Sequence, residues 1–166
     1  MTRVNGYPKI SPEEAASQIP HGATVAFSGF SGAGSAKAVP RAIAKRARSI
    51  HGKGEAYRIR VLTGASTGKS IDEELAGAQA ISWRAPYQSS PILRKQINEG
   101  EVAYIDMHLS HVPQMVANGF FGKLDFAVIE ATEVTPDGRV FLTTSIGSSP
   151  TFLKYAHRII IEINPY

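Results

Sequence analysis

Residues 63–70 read Thr-Gly-Ala-Ser-Thr-Gly-Lys-Ser, directly after an apolar run and directly before a helix-patterned segment. A glycine turn ending in Lys-Ser at a helix start resembles a phosphate cradle, in which free backbone amides curl around the anion. That cradle needs four residues between its glycines, and only Ala65, Ser66 and Thr67 separate Gly64 from Gly68. The apolar run ending at Asp106 could imitate the strand whose aspartate holds Mg²⁺ in such sites. A Mg-nucleotide site and a plain turn between strand and helix therefore both stay open.

A second glycine loop, Ser28-Gly-Phe-Ser-Gly-Ala-Gly34, has the order G-x-x-G-x-G and not the dinucleotide order G-x-G-x-x-G. It still brings backbone without side-chain bulk to a helix start, where amides and helix dipole favour a carboxylate, a thioester oxyanion or a phosphate. The alternative is a tight turn with no ligand. Asp106-Met-His108-Leu-Ser-His111 has a spacing that could serve a metal, but two histidines without a committed helix or a further carboxylate serve equally as loop hydrogen-bonders. Glu130 and Glu162 follow or interrupt apolar runs, so each is expected to be buried and paired. Either carboxylate could in principle act as a nucleophile. Arg84-Ala-Pro-Tyr87-Gln-Ser-Ser90 is one more polar turn.

These groups need elements to position them. Strands are expected at 24–28, 58–63, 80–83, 103–106, 126–130, 140–143 and 158–163, several of them apolar on consecutive positions, as strands covered on both faces are. Helix starts are marked by Ser11 with Glu14 and Pro12, by Ser70 with Glu73, by Ser90 before Pro91 and by Ser149 before Pro150. Thr135-Pro-Asp-Gly138 is a type I turn sequence and the one hairpin signal. The alternation of strand and helix predicts an α/β fold, a mostly parallel sheet flanked by helices. Ligands bind such sheets at the carboxyl ends of the strands, where Ser28 to Gly34, Gly64 to Gly68, Arg84 to Ser90, Asp106 to His111 and Glu130 to Glu133 all fall.

With 166 residues, 43% of them hydrophobic, the chain suits one compact domain with its own core. The net charge of +4 is spread out except for the basic residues from Lys37 to Arg48, a solvated helix face. Such a balance favours small anions mildly and gives no reason to expect nucleic acid. The absence of cysteine excludes disulfides, thiolate metal sites and a cysteine nucleophile. No apolar run approaches the length of a membrane span, so no membrane partner is expected. The expected compartment is the cytoplasm, or the mitochondrial matrix if the source is eukaryotic. The chain stops just after the apolar 158–163 strand, which is expected to lie at an edge or to continue into further sequence.

The segments SGFSGAG followed by KAVP, LTGASTG, RAPYQ, LRKQIN, DMHLSH, VIEAT, PDGRV, SIGSSPTF and IIIEIN, taken in that order, resemble the amino-terminal part of the acetyl-CoA hydrolase/transferase family, the class I CoA-transferases. The likeness runs from about Ser11 to the end, and SWRAPYQ, NGFFG and PDGRV look nearest to the propionyl-CoA:succinate branch. The resemblance implies that residues 1–166 are the amino-terminal domain of a two-domain enzyme, with the carboxyl-terminal catalytic domain or subunit absent. It implies transfer of CoA between a short-chain acyl-CoA and a carboxylate through a glutamyl-CoA thioester, with acetyl-CoA hydrolysis or a non-catalytic acyl-CoA-binding module as alternatives. Coenzyme A is then a substrate, no metal or other cofactor is needed, and a homodimer is implied. The nucleophilic glutamate belongs to a motif that nothing here matches, so neither Glu130 nor Glu162 takes its role, and this chain alone is expected to be inactive.

By the same resemblance Ser66 matches the serine facing the acyl or carboxylate group. Gly32, Ala33, Gly34 and Gly64 let the backbone approach that group, and Tyr87 and Ser89 line the acyl side. Gly64 to Gly68 is then a carboxylate-facing turn. Two departures stand out. Gly147-Ser148-Ser149 replaces the Gly-Asn-Ser common in relatives, and Lys69 has no assigned role.

Overall fold

The structure is a computed structural model that describes residues 3–165. A short hairpin of β1 (Arg3–Val4) and β2 (Tyr7–Pro8) precedes helix α1 (Pro12–Ser17). The main sheet takes β3 (Thr24–Phe27), β4 (Ile59–Thr63), β5 (Ile81–Ala85), β6 (Ala103–Tyr104), β7 (Phe126–Val134), β8 (Val140–Leu142) and β9 (Arg158–Ile163). Its order is β6-β5-β4-β3-β7-β8, with β9 paired to β7, and every pairing is parallel except β7 with β8. The intervening helices are α2 (Ala38–His51), α3 (Asp72–Ala76), α4 (Pro91–Asn98), α5 (Val112–Ala117) and α6 (Ser149–Tyr155).

The consecutive apolar positions serve two cores. Val25 and Phe27 of β3 join Val61 and Val128 in a cluster with Ile43 of α2, Leu75 of α3 and Leu93 of α4. Ala26, Leu62, Ala127 and Ile129 point the other way, to Val112 and Val116 of α5 and Phe152 of α6. Successive strand residues face opposite sides, so a strand buried on both must be apolar throughout. Burying an Ile, Leu or Phe completely contributes about 1.5–3 kcal/mol. No helix among the described residues is long and apolar enough to cross a membrane.

Local signals acted as expected in three places. Ser11 accepts from the Glu14 amide at 3.1 Å while the Glu14 carboxylate accepts from the Ser11 amide at 2.7 Å, a reciprocal cap. Ser90 caps α4 through the Leu93 amide. Gly138 donates to the Thr135 carbonyl at 3.0 Å, closing the turn between β7 and β8.

Elsewhere tertiary contacts decided otherwise. Ser70 and Glu73 form no capping box, because Ser70 closes a 3₁₀ turn (Gly68–Ser70) and its hydroxyl donates to Ser35 Oγ at 3.1 Å. Ser149 is the first residue of α6 and not its cap, a position held by Ser148. β5 begins and ends later than expected and includes Arg84; β7 runs four residues past Glu130; and α5 follows directly after the histidine-bearing turn, in a segment for which no helix was expected. Residues 1, 2 and 166 of the expected 1–166 domain fall outside the described residues.

Candidate active-site wall at the carboxyl edge of the sheet

The turn after β3 is closed by two backbone bonds between Phe30 and Ala33, each 2.9 Å. Its root is Ser28, whose buried hydroxyl donates to the Gly34 carbonyl and accepts from the Glu130 amide, both at 2.8 Å. Gly34 has φ +62°, and a Cβ there would lie 2.6 Å from Ser145 Oγ and 3.2 Å from the Ser145 backbone nitrogen. Only glycine supplies that conformation in that space. Ser145 in turn donates to the Ala33 carbonyl at 2.7 Å.

The turns are bonded to one another. The Ser31 amide donates to the Ser66 carbonyl at 2.7 Å, joining the turn after β3 to the turn after β4. Ser66 Oγ and Ser89 Oγ lie 2.5 Å apart, joining the turn after β4 to the one after β5. A Cβ on Gly64 would meet the Ser148 amide nitrogen at 3.0 Å, so Gly64 admits the turn before α6 at close range. Ser66 is 6% exposed, whereas Ser89, Gly32 and Ala33 are open to solvent and Tyr87 is about half exposed. Each hydroxyl carries one proton, so a pair sharing one hydrogen bond retains one O–H to donate outward.

Beneath these turns Arg84, which heads one of the polar turns, has a partner in Asp72 that its sequence position does not announce. Arg84 and Asp72 are both fully buried and pair through Nε to Oδ1 at 2.8 Å and Nη2 to Oδ2 at 3.1 Å. The same guanidinium donates to the carbonyls of Ala65 at 3.3 Å and Tyr87 at 2.9 Å, and to that of Ala85. One cation thereby ties the Ser66 turn to the Ser89 turn, with planar geometry suited to several acceptors at once. The only sequence signal was an arginine beside apolar strand residues.

The phosphate-cradle reading does not fit this geometry. Asp72 Oδ2 accepts from the Thr67 amide at 3.3 Å, so one amide of the would-be nest already faces an internal carboxylate. Lys69 is exposed. His108 and His111 stack edge to face at 5.5 Å, and among the described residues no three His, Cys, Asp or Glu side chains converge.

Both expected carboxylates have partners. Glu130 is 4% exposed, receives Lys37 Nζ at 2.5 Å and accepts from Thr143 Oγ1 at 3.0 Å. Glu162 is only half-buried and accepts three backbone amides at the start of α2. A hollow of about 420 Å³ lined by His21, Lys123, Asp125 and Arg158 sits at the opposite, amino-terminal edge of the sheet. At the carboxyl edge Phe30 and Tyr87 are about half exposed and Ile146 more so.

A doubly covered, mostly parallel sheet whose glycine and hydroxyl turns are bonded together at the carboxyl edge defines an α/β domain of the open-sheet class, in which ligands bind at that edge. Solved structures share the fold: RipA from Yersinia pestis matches with a TM-score of 0.71 at 23% identity over 95% of this chain and 36% of its own. Glutaconate coenzyme A-transferase from Acidaminococcus fermentans matches with a TM-score of 0.65 at 14% identity over 92% and 68%.

The chain belongs to the acetyl-CoA hydrolase/transferase family, whose N-terminal domain it matches over residues 1–165. It is 54% identical over 158 residues to the propanoyl-CoA:succinate CoA transferase of Escherichia coli, covering 95% of this chain and 32% of that one. It is 40% identical over 155 residues to the succinyl-CoA:acetate CoA-transferase of Clostridium kluyveri, covering 93% and 28%. An acetyl-CoA hydrolase of Neurospora crassa is 34% identical over 160 residues, covering 93% and 30%. The chain thus spans about a third of the length of these curated relatives.

Proposed function

We propose that this chain forms the acyl-facing wall of a CoA-transferase that moves CoA between a short-chain acyl-CoA and a small carboxylate. The observation that carries the reading is the Ser66–Ser89 hydroxyl pair, 2.5 Å apart and braced from below by Arg84. One free O–H of that pair donates to the oxygen of an acyl or carboxylate group, and Gly32, Ala33, Gly34 and Gly64 keep the surrounding backbone close. Tyr87 covers the acyl side.

In this reading a glutamate outside this chain supplies the nucleophile. Its carboxylate attacks the thioester carbonyl and expels CoA thiolate, leaving an acyl-glutamyl anhydride. The thiolate attacks the glutamyl carbonyl and releases the first carboxylate. The acceptor carboxylate then repeats the sequence in reverse on the glutamyl-CoA thioester. Oxyanions form at each carbonyl, and preorganised donors on the wall stabilise them. CoA is the substrate and no metal or other cofactor takes part. A homodimer acting in the cytoplasm, or in the matrix of a mitochondrion, completes the reading.

Transferase is favoured over hydrolase because the relatives named as transferases are 54% and 40% identical, against 34–37% for those named as hydrolases. The test is to supply the full-length protein with propionyl-CoA, with and without succinate, and to follow free CoA and succinyl-CoA. Succinyl-CoA without net release of thiol supports transfer. Thiol release independent of succinate supports hydrolysis, and acyl-CoA binding without either product leaves a binding module.

A further inference from the structure

Helix α2 has no N-cap side chain of its own and no acidic residue in its first turn. A 14-residue helix left so would present unsatisfied amides and a positive dipole end to its surroundings. They are not unsatisfied. The Glu162 carboxylate on β9 accepts from the amides of Lys37 at 2.7 Å, Ala38 at 2.9 and 3.0 Å, and Val39 at 3.0 Å.

The neighbouring strand explains why this contact is specific. Glu130 of β7 stands in register with Glu162 of β9, so two like charges share one face of the sheet. Like charges placed opposite one another destabilise a sheet unless something compensates. Lys37 answers both: its ammonium contacts Glu130 at 2.5 Å and its amide contacts Glu162. That ammonium also donates to the Ser35 carbonyl at 2.8 Å, and the Ser35 hydroxyl donates to the Gly32 carbonyl at 2.8 Å. A continuous chain of bonds therefore runs from β7 and β9 through Lys37 into the glycine loop.

We infer that Glu162 is the resident anion of the α2 N-terminus and a positioning residue for the Gly32–Gly34 loop, so that substrate carboxylates meet the loop and the serine hydroxyls and not the helix end. The helix-end site expected from the sequence for a carboxylate, oxyanion or phosphate is thus filled from within. The link to catalysis rests on the reading given under Proposed function; the occupancy of the helix end does not.

The experiment uses the full-length protein as wild type, Glu162→Ala and Glu162→Gln. Amide hydrogen exchange at residues 37–39 and 31–35, and kcat/KM for acyl transfer, are measured for each. Loss of a helix cap predicts exchange about five- to tenfold faster at 37–39 in Glu162→Ala, spreading to 31–35. The fall in kcat/KM should reside in kcat, with KM for acyl-CoA unchanged. Sodium formate, unlike sodium chloride at equal ionic strength, should slow exchange at 37–39 in Glu162→Ala and leave wild type unaffected, because it refills the vacated carboxylate position. Formate rescue is read by exchange, since a small carboxylate also competes as substrate. Unchanged exchange at 37–39, or faster exchange there with 31–35 and kcat unmoved, overturns the inference. Glu162→Gln, which retains one acceptor oxygen, carries the test if the alanine variant does not fold. Absence of acyl transfer in wild type overturns the transferase reading alone, and the exchange data still decide the role of Glu162.

Discussion

Ser66 Oγ and Ser89 Oγ share a hydrogen bond of 2.5 Å across two turns that are 23 residues apart in sequence. Either oxygen can be the donor, and the bond leaves one of the two hydroxyl protons outside it. Removing the more exposed partner separates holding from binding. Ser89→Ala in the full-length protein should lower kcat/KM for acyl transfer by about three- to tenfold, the loss of one neutral hydrogen bond. The melting temperature should stay within about 2 °C. Steady-state kinetics and calorimetry check this.

The Arg84–Asp72 pair predicts the opposite balance, with stability affected before activity. Either residue alone, left charged and buried, is costly, so Arg84→Met or Asp72→Leu should destabilise by about 3–5 kcal/mol. The double replacement Arg84→Met with Asp72→Leu should recover much of that loss, because no unpaired charge then remains. Urea unfolding of the three variants measures the coupling.

Two glycines of one loop should behave differently. Gly34→Ala meets both a left-handed φ and Ser145 Oγ at 2.6 Å, whereas Gly32 at φ +92° has open space around a Cβ. Gly32→Ala should therefore cost only backbone strain, about 1–3 kcal/mol. Gly34→Ala should cost more and should also displace Ser145. Thermal unfolding ranks the pair, and an equal or reversed order contradicts the geometry.

Acid stability should report the α1 cap. The Ser11 amide and hydroxyl hold the Glu14 carboxyl below its ordinary value of 4.5. A carboxyl whose folded pKa is depressed contributes stability above the unfolded value and loses it as pH falls through the folded one. The difference in melting temperature between wild type and Glu14→Gln should thus be present at pH 7 and close below pH 4.5. A difference independent of pH contradicts it.

Period and local chemistry made most of the sheet legible. Runs such as Val-Ala-Phe in β3 and Ala-Val-Ile in β7 announced strands covered on both faces, and Ser11 and Ser90 announced their helices. Partners distant in sequence were not legible. Asp72 sits 12 residues from Arg84, and Glu162 sits 123–125 residues from the amides it caps. Ser70 carried a good local signal and lost it to Ser35, a contact that depends on the two turns meeting in space. The turns that carry Ser66, Ser89 and the glycines were legible as polar turns after strands, and the fold brings them to one edge. Arg84, which holds the Ser66 and Ser89 turns in place, acts from underneath and looks in sequence like any polar residue beside a strand.

The claim that Ser66 faces the acyl or carboxylate group is tested most directly by Ser66→Ala in the full-length protein, with kcat/KM measured for acetate, propionate and succinate as acceptors. The account predicts a fall of about tenfold or more that differs among the three acceptors, with the melting temperature nearly unchanged. Equal kcat/KM in wild type and variant for all three would mean that the hydroxyl does not touch the transferred group, and the assignment of this wall would be wrong.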